Sequence, residues 1–356
     1  DVISIADYVI DVGPGAGQEG GEIVFAGSYQ ELLKSGSLTG NAMLASLPVK
    51  IKTRKAAGSL PVRGASLHNL KNVNVDIPLG IMTVVTGVAG SGKSTLISQV
   101  FARQYEKDIV MVDQGPITAT NRSTPASYLG FFDEIRKVMA RESGKADSLF
   151  SFNSAGACPV CWGKGIIVTE LAFMDPIVTE CESCCGKRYN EEALACTYKG
   201  KNIVELLEMT ASQAMEVFED AKIRKHLNVM KQVGLSYLTL GQPLSTLSGG
   251  ERQRVKLAKN LGKKGSIIVM DEPTTGLHAS DIRNLLNLFD LIVSRGNSLV
   301  VIEHNLDVMK QADWIIDIGP DGGKNGGEVV FEGVPMEMIQ SSETLTAQCL
   351  RSSCTL

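Results

Sequence analysis

The chain has 356 residues, with 35 Lys plus Arg against 39 Asp plus Glu and a formal net charge of −4. That balance excludes a uniformly basic nucleic-acid binder but not a local basic groove, because partners respond to the local field. The 44% hydrophobic content suits a globular chain, and no apolar run reaches the roughly 18 residues that a membrane span needs. With no charged-then-apolar leader at its start, the expected compartment is the cytoplasm, without a membrane partner. Eight cysteines in such a chain point to reduced thiols and a bound metal rather than a disulfide framework.

In chain order, the first signal is an internal repeat. Residues 6–27, ADYVIDVGPGAGQEGGEIVFAG, align without a gap on residues 312–333, ADWIIDIGPDGGKNGGEVVFEG, at an offset of 306. The repeat predicts two similar strand–turn–strand hairpins and a tandem protein whose first copy ends near residue 45. The chain, which opens with Asp1, reads as a piece of that longer protein. Residues 48–60, PVKIKTRKAAGSL, read as a linker whose Lys50, Lys52, Arg54 and Lys55 form a solvated face.

Strands are expected at Asn74–Pro78, Met82–Val85 and Ile109–Val112, with a helix over 93–103. From about 118 to 234, six cysteines and scattered glycines interrupt this rhythm, which predicts an insertion. A helix near 250–262, a strand at Ser266–Met270, a helix over 279–294, a strand at Ser298–Ile302 and the closing repeat then follow. Strands alternating with helices imply an α/β fold with a mainly parallel, covered sheet.

Gly87-Val88-Ala89-Gly90-Ser91-Gly92-Lys93-Ser94, followed by Thr95, satisfies G-x-x-x-x-G-K-[ST] directly after an apolar strand. Its glycines let backbone N–H groups curl around phosphate oxygens, and the helix that follows points its positive end at the same anion. Lys93 supplies charge to the β and γ phosphates of ATP, and Ser94 can ligate Mg2+. Asp271 and Glu272 close an apolar strand: Asp271 would hold Mg2+ through water, and Glu272 would polarise the attacking water. Ser248, Gly249 and Gly250, within LSGGERQ, open a helix and form a second anion cradle. This segment reads as the ABC signature, which closes on the γ phosphate held by a different nucleotide domain. Gln114 and His304, each after an expected strand, occupy the places of a magnesium and water sensor and of a switch residue. His68, His226 and His278 are given no catalytic role.

Cys158 and Cys161, in CPVCWGKG, and Cys181 and Cys184, in CESCCGKR, form two C-x-x-C knuckles with nineteen residues between Cys161 and Cys181. That spacing suits one tetrahedral Zn2+ held by four thiolates, with Gly163 and Gly186 easing the turns. Four thiolates leave no open position, so the metal is expected to be structural. Cys185 and Cys196 are near enough to exchange with Cys184, whereas Cys349 and Cys354 are expected to ligate nothing.

These strings together resemble the UvrA family, the ATPase component of the ABC excinuclease. HNLKNVNVDIPLG at 68–80, VTGVAGSGKSTL at 85–96, FSFNSAGACPVCWGKG at 150–165 and CESCCGKRYNEEAL at 181–194 carry the resemblance. TLSGGERQRVKLA at 246–258, DEPTTGLHASD at 271–281 and VIEHNLDVMKQADWIIDIGP at 301–320 extend it to nearly the whole chain. The resemblance implies an ABC-type ATPase domain with a parallel or mixed sheet core and an inserted zinc-binding, largely helical signature domain.

The implied layout has residues 1–47 as the end of a first ATPase half and 48–60 as the linker. Residues 61–117 are the phosphate-loop part, 118–234 the insertion, 235–340 the signature and acidic part, and 341–356 a tail. The implied partners are duplex DNA, damaged or drug-bound, a missing N-terminal ATPase half, a second copy in a homodimer, and a repair helicase.

Residues 141–200 hold six Lys or Arg against eight Asp or Glu, which is not an obvious phosphate-binding strip. This departure also fits the UvrA-like paralogues associated with resistance to DNA-binding antibiotics. A transporter engine is the third alternative. Lys187 and Arg188 are either DNA contacts or caps of the second knuckle that pair with Glu191 and Glu192. No aromatic that would stack on adenine is evident near 60–70, so how the base is held is open.

Overall fold

The computed structural model describes residues 2–14, 20–45, 47–117, 122–171, 174–261 and 264–354. β-branched runs bounded by glycine or acidic turns fold as strands, as their composition favours. β1 (Val9–Gly13) and β2 (Glu22–Gly27) form an antiparallel hairpin, followed by α1 (Tyr29–Lys34) and α2 (Leu38–Leu44). A reciprocal Ser28–Glu31 capping box starts α1. β3 (Gly58–Ala65) and β4 (Val73–Leu79) form a second hairpin. β5 (Met82–Gly87) leads into α3, a π-helical stretch over Thr95–Phe101 that continues as Ala102–Gln104, and then into β6 (Ile109–Val112).

The chain divides into two compact units, residues 1–115 with 260–356, and residues 116–259. The second unit contains α4 (Pro125–Leu129), α5 (Phe132–Ser143), the hairpin β7 (Ile166–Leu171) with β8 (Met174–Glu180), and α6 (Glu191–Ala195). α7 (Ile203–Glu208), α8 (Ala211–Val217), α9 (Ala221–Gln232) and most of α10 (Gly249–Asn260) complete it. This unit is longer than the expected 118–234, because the segment leading to α10 and α10 itself pack within it. The Leu244 N–H donates to the Ser123 carbonyl at 2.9 Å, and Lys259 lies over the Tyr128 ring at 4.2 Å.

In the first unit, β9 (Ile267–Asp271), α11 (Ala279–Ser294), β10 (Ser298–Ile302) and α12 (Leu306–Lys310) resume the alternation. β11 (Trp314–Gly319), β12 (Glu328–Gly333), α13 (Pro335–Ser341) and α14 (Leu345–Cys354) follow. Six strands join in the order β12-β11-β5-β10-β9-β6. All neighbours are parallel except β11 and β12, so the sheet is mixed. β3–β4 and α3 cover one face: Val62, Val75, Ile77, Leu96, Ile97 and Phe101 share a buried cluster with Val85, Val269, Ile302 and Ile316.

The two repeats fold alike. Val9 pairs with Gly27 as Ile315 pairs with Gly333, and each hairpin shifts register at the same place, after Asp11 and after Asp317. Their surroundings differ, since β11 lies beside β5 while β1–β2 is a separate two-stranded sheet.

Two readings of the chain's ends need correction. The 341–356 segment is no polar tail: α14 buries Ala347 and Leu350, and Lys310 Nζ donates to the Ser353 carbonyl at 3.1 Å. Nor is 48–60 wholly a solvated linker, since its last residues begin β3 and Lys50 and Arg54 clasp Asp313, while Lys52 and Lys55 are exposed. That buried carboxylate accepts from the Arg54 N–H at 2.9 Å and the Met82 N–H at 3.0 Å, and it lies 2.7 Å from Lys50 Nζ. Burial opposes the charge on Asp313, but these donors outweigh it and hold the carboxyl below its ordinary value.

A carboxyl depressed in the folded state stabilises above its unfolded value, and that contribution is lost as pH falls through the folded value. Asp313→Ala should therefore lower unfolding free energy at pH 7 by about 3 kcal/mol, the scale for breaking a buried ion pair from one side. The deficit should shrink as the pH is taken below about 4. Urea unfolding at pH 7 and pH 3.5 checks both statements, and equal deficits at the two values would contradict them.

Candidate functional site

The phosphate loop is shaped by backbone crowding. A Cβ on Gly87 would lie 2.0 Å from the Ile318 carbonyl oxygen, so only glycine fits where β5 turns out beside β11. Gly87, Gly90 and Gly92 all have positive φ, the region that glycine enters without strain. The Gly90 carbonyl accepts from the Gly323 N–H at 3.0 Å and from Asn69 Nδ2 at 3.0 Å. Ser94 occupies the position just before α3, without a capping hydrogen bond from its side chain, and Thr95 is the first residue of the helix. Among the described residues the buried Ser91 Oγ has no hydrogen-bond partner, which fits a loop built to surround a polar ligand.

Lys93 folds back on this loop, its Nζ donating to the Gly87 and Val88 carbonyls at 2.9 and 2.8 Å. Burial draws the ammonium below its ordinary pKa, against the pull of Glu272, Asp317 and Asp271. Asp271, at the end of β9, moves the opposite way: burial, then Glu272 and Asp113, raise it above the ordinary carboxylate value. A half-buried cluster of carboxylates facing one lysine is short of positive charge, and a divalent cation would supply it.

Glu272 follows in a left-handed conformation, φ 43°, which turns its side chain out of the sheet. The Glu272 N–H donates to the Ile302 carbonyl at 3.0 Å, and Gln114 Nε2 donates to the Glu272 carbonyl at 3.2 Å. His304 Nδ1 stands 3.9 Å from Glu272 Oε1. Gln114, Asp271, Glu272 and His304 thus meet at the ends of β6, β9 and β10.

Three supporting residues escaped the motif reading. Glu303 is fully buried and accepts from the N–H groups of Thr274, His304 and Asn305 at 2.9, 2.9 and 3.0 Å, so it fixes the backbone on either side of the site. Asp317, buried on β11, accepts from Thr346 Oγ1 at 3.0 Å and shares an electrostatic interaction with Lys93; burial raises its pKa. Its place in the repeat, matching Asp11, was the available signal. Asn69, in HNLKN, braces the loop as described.

The signature lies in the second unit. Ser248 and Glu251 form a reciprocal cap: the Ser248 N–H donates to Glu251 Oε2 at 2.7 Å, and the Glu251 N–H donates to Ser248 Oγ at 3.3 Å. Gly249 and Gly250 open α10 behind them. Tyr237 OH donates to Glu251 Oε1 at 2.8 Å; burial and this carboxylate push the phenol up to about 12.

The sulfurs of Cys158, Cys161, Cys181 and Cys184 lie within 4.8 Å of one another, and all four residues are buried. Cys161 Sγ and Cys184 Sγ are 3.7 Å apart, too far for a disulfide. At Cys158 burial opposes ionisation, but the N–H groups of Cys161 and Val160 prevail and lower the thiol to about 6. Cys184 is pushed up to about 12 by burial and by the neighbouring sulfurs. Four soft donors crowded together and buried fit a thiophilic divalent cation. Cys185 and Cys196 stand outside the cluster, against the carbonyls of Glu182 and Glu192 at 3.5 Å each. Arg188 turns inward over the Phe152 ring at 5.5 Å, Lys187 is exposed, and Glu192 pairs with Lys145 at 2.9 Å.

The family model described as ABC transporter matches residues 70–275. UvrABC system protein A from Staphylococcus aureus (strain COL) is 45% identical over 99% of this chain and 41% of its own length. The protein of the same name from Aquifex aeolicus is 45% identical over 99% of this chain and 42% of its own. The crystal structure of UvrA2 from Deinococcus radiodurans matches with a TM-score of 0.91 and 40% identity, over 99% of this chain and 47% of that one. The chain thus spans about two fifths of the length of the curated relatives it matches. With more than half of its residues in the family match, the chain belongs to the ABC family of ATPases, and within it to the UvrA group.

Proposed function

We propose that this chain binds and hydrolyses Mg-ATP as the C-terminal ATPase half of a UvrA-type protein, and that the cycle serves recognition of altered duplex DNA in the cytoplasm. The observation that carries this reading is the coexistence of a phosphate-loop and carboxylate cluster with a buried four-cysteine cluster, in a chain 45% identical to UvrABC system protein A over 99% of its length. A transport role is not favoured, because the chain pairs the four-cysteine cluster with 45% identity to UvrABC system protein A over 99% of its residues.

In this reading the N–H groups of Gly90, Ser91, Gly92, Lys93, Ser94 and Thr95 cradle the phosphates. Lys93 leaves the Gly87 and Val88 carbonyls to meet the β and γ oxygens. Asp271 and Ser94 hold Mg2+, which supplies charge to the phosphates. Glu272 takes a proton from the attacking water, while Gln114 and His304 orient that water and the γ phosphate. Ser248, Gly249 and Gly250 complete the site of a different nucleotide domain, so Lys93 and Ser248 of one chain do not share a nucleotide. The partner domains are a preceding ATPase half, for which β1–β2 is the closing hairpin, and a second copy in a homodimer. A helicase partner would engage an insertion in that preceding half.

Cys158, Cys161, Cys181 and Cys184 would hold Zn2+ at the base of the β7–β8 hairpin, where it would serve as a structural cross-link. The resistance-paralogue reading is favoured by one observation, the net charge of −2 across 141–200, six basic minus eight acidic residues. Since Arg188 is engaged with Phe152, the DNA contact beside the second knuckle falls to Lys187.

Glu272→Gln should retain ATP binding and slow turnover by about 10²–10⁴-fold, the range for losing a general base. Lys93→Ala should weaken binding itself by tenfold or more, on the scale of ~1–3 kcal/mol for a charged hydrogen-bond partner. Calorimetric ATP titration beside single-turnover hydrolysis separates the two, and normal turnover in both variants would sink the assignment.

Purified protein should carry one zinc per chain by elemental analysis, and Cys158→Ser should release it while leaving much of the ATPase sheet folded. Zinc-free protein with all thiols titratable would refute the metal.

Binding to plain, lesion-bearing and drug-loaded duplex across a salt series tests the DNA role. Lys187→Glu should flatten the log–log salt slope by about 0.9, one phosphate contact. Preference for lesions supports repair, and preference for drug-loaded DNA supports the resistance paralogue. An unchanged slope removes Lys187 from the interface.

A further inference from the structure

We propose that Tyr237 is a positioning residue for the signature: its hydroxyl holds the Glu251 carboxylate on the flank of α10, clear of the cradle that Ser248, Gly249 and Gly250 offer to a γ phosphate. The proposal rests on the signature reading given above and adds the residue that keeps a negative charge out of that cradle. The difficulty is electrostatic. The N-terminal end of a helix attracts an anion, because its first N–H groups have no partner within the helix and its dipole is positive there. Glu251 puts a carboxylate into this first turn, three residues from Ser248. Unrestrained, that charge would offset the dipole and repel an incoming phosphate.

A capping box uses only one carboxylate oxygen. Oε2 of Glu251 serves it by accepting the Ser248 N–H at 2.7 Å, while Ser248 Oγ accepts the Glu251 N–H at 3.3 Å. Oε1 has no part in the cap, yet it accepts from the hydroxyl of Tyr237, 14 positions upstream, at 2.8 Å. Arg254 Nη2 donates to the same phenol oxygen at 3.5 Å. Burial opposes the charge on Glu251, but the Ser248 N–H, the Tyr237 hydroxyl and the Arg254 guanidinium outweigh it and hold the carboxyl below its ordinary value. The carboxylate is therefore charged and tied at both oxygens. Ser248 is exposed and the two glycines are half-buried, so the end of the helix itself stays open.

The phenol is anchored from elsewhere in the unit. The carbonyls on either side of it, of Ser236 and Leu238, accept from the Ser212 and Ala211 N–H groups at 2.9 and 3.0 Å, which fastens this segment to the start of α8. Glu251 is thus held by a group that does not move with α10. Phenylalanine would fill the same space as Tyr237, so the hydroxyl contributes only its bonds to Glu251 and Arg254.

The test is ATP-driven association of the 356-residue chain carrying Glu272→Gln, followed by analytical ultracentrifugation. In that variant the signature of one copy should close on the nucleotide of another. Adding Tyr237→Phe should weaken association about tenfold, the scale of one hydrogen bond to a charged group, while the calorimetric ATP affinity of the dilute chain stays unchanged. With Glu251→Gln also present there is no charge to restrain, and Tyr237→Phe should change association by less than about twofold. Equal association with and without the Tyr237 hydroxyl overturns the proposal. So does a loss that persists beside Glu251→Gln, which would make Tyr237 a packing residue. If the Glu272→Gln chain does not associate with ATP at all, the signature reading fails and the proposal with it; if it associates and only the Tyr237 variants are silent, that reading stands and the positioning role falls.

Discussion

The ends of β5 and β11 approach their neighbours so closely that Gly87 and Gly327 have no room for a side chain, and the shape of the phosphate loop follows from this. A Cβ at Gly87 would collide with the Ile318 carbonyl, and one at Gly327 would lie 1.9 Å from the Asn69 carbonyl. The Gly327 N–H donates to the Ser91 carbonyl at 3.0 Å, and the Lys71 N–H to the Gly327 carbonyl at 2.9 Å. Three segments far apart in sequence, 69–71, 87–92 and 318–327, thus lock into one another. The phosphate loop holds its curl because its neighbours occupy every alternative, and Lys93, Asp271 and Asp317 face one another only because that curl is fixed.

Much of this was legible in the sequence. Ile109–Val112 and Ser298–Ile302 fold with the expected bounds, because apolar runs flanked by turn residues have no other low-energy fate in a covered sheet. The knuckle cysteines meet because their spacing and glycines allow little else. What the pattern hid was long-range pairing. Nothing in PVKIKTRKAAGSL announces that Lys50 and Arg54 would find Asp313, some 260 positions away, so a basic run read as solvated became the clasp of a buried carboxylate. Glu303, just past β10, was invisible for the same reason, since a lone acid there resembles any turn residue until its partners are placed.

The repeat shows where local information ends. Ile10, Val12 and Ile23 match Ile316, Ile318 and Val329 position for position, in identical register. Ile316 and Ile318 are fully buried, whereas Ile10 and Val12 are about 60% exposed. The hairpin's sequence sets its pairing and its bulge, but the neighbouring strand sets its burial. An edge strand bearing apolar side chains and unpaired backbone groups is a surface that natural sheets cover, and in the second copy β5 is what covers it.

Glu303 ties the two sides of the Gln114, Glu272 and His304 cluster into one object. Its Oε1 receives the Thr274 N–H, just beyond Glu272, and its Oε2 receives the N–H groups of His304 and Asn305. Glu272 is held independently by the Ile302 carbonyl and by Gln114. The turn after β9 and the turn after β10 therefore cannot move separately without stripping a buried carboxylate of its donors, which is costly in a site shielded from water. The 3.9 Å between His304 and Glu272 is then a separation set by the backbone on both sides and not by the contact itself. A shift of the backbone at His304 would therefore carry with it the turn beyond Glu272, the segment that leads into α11.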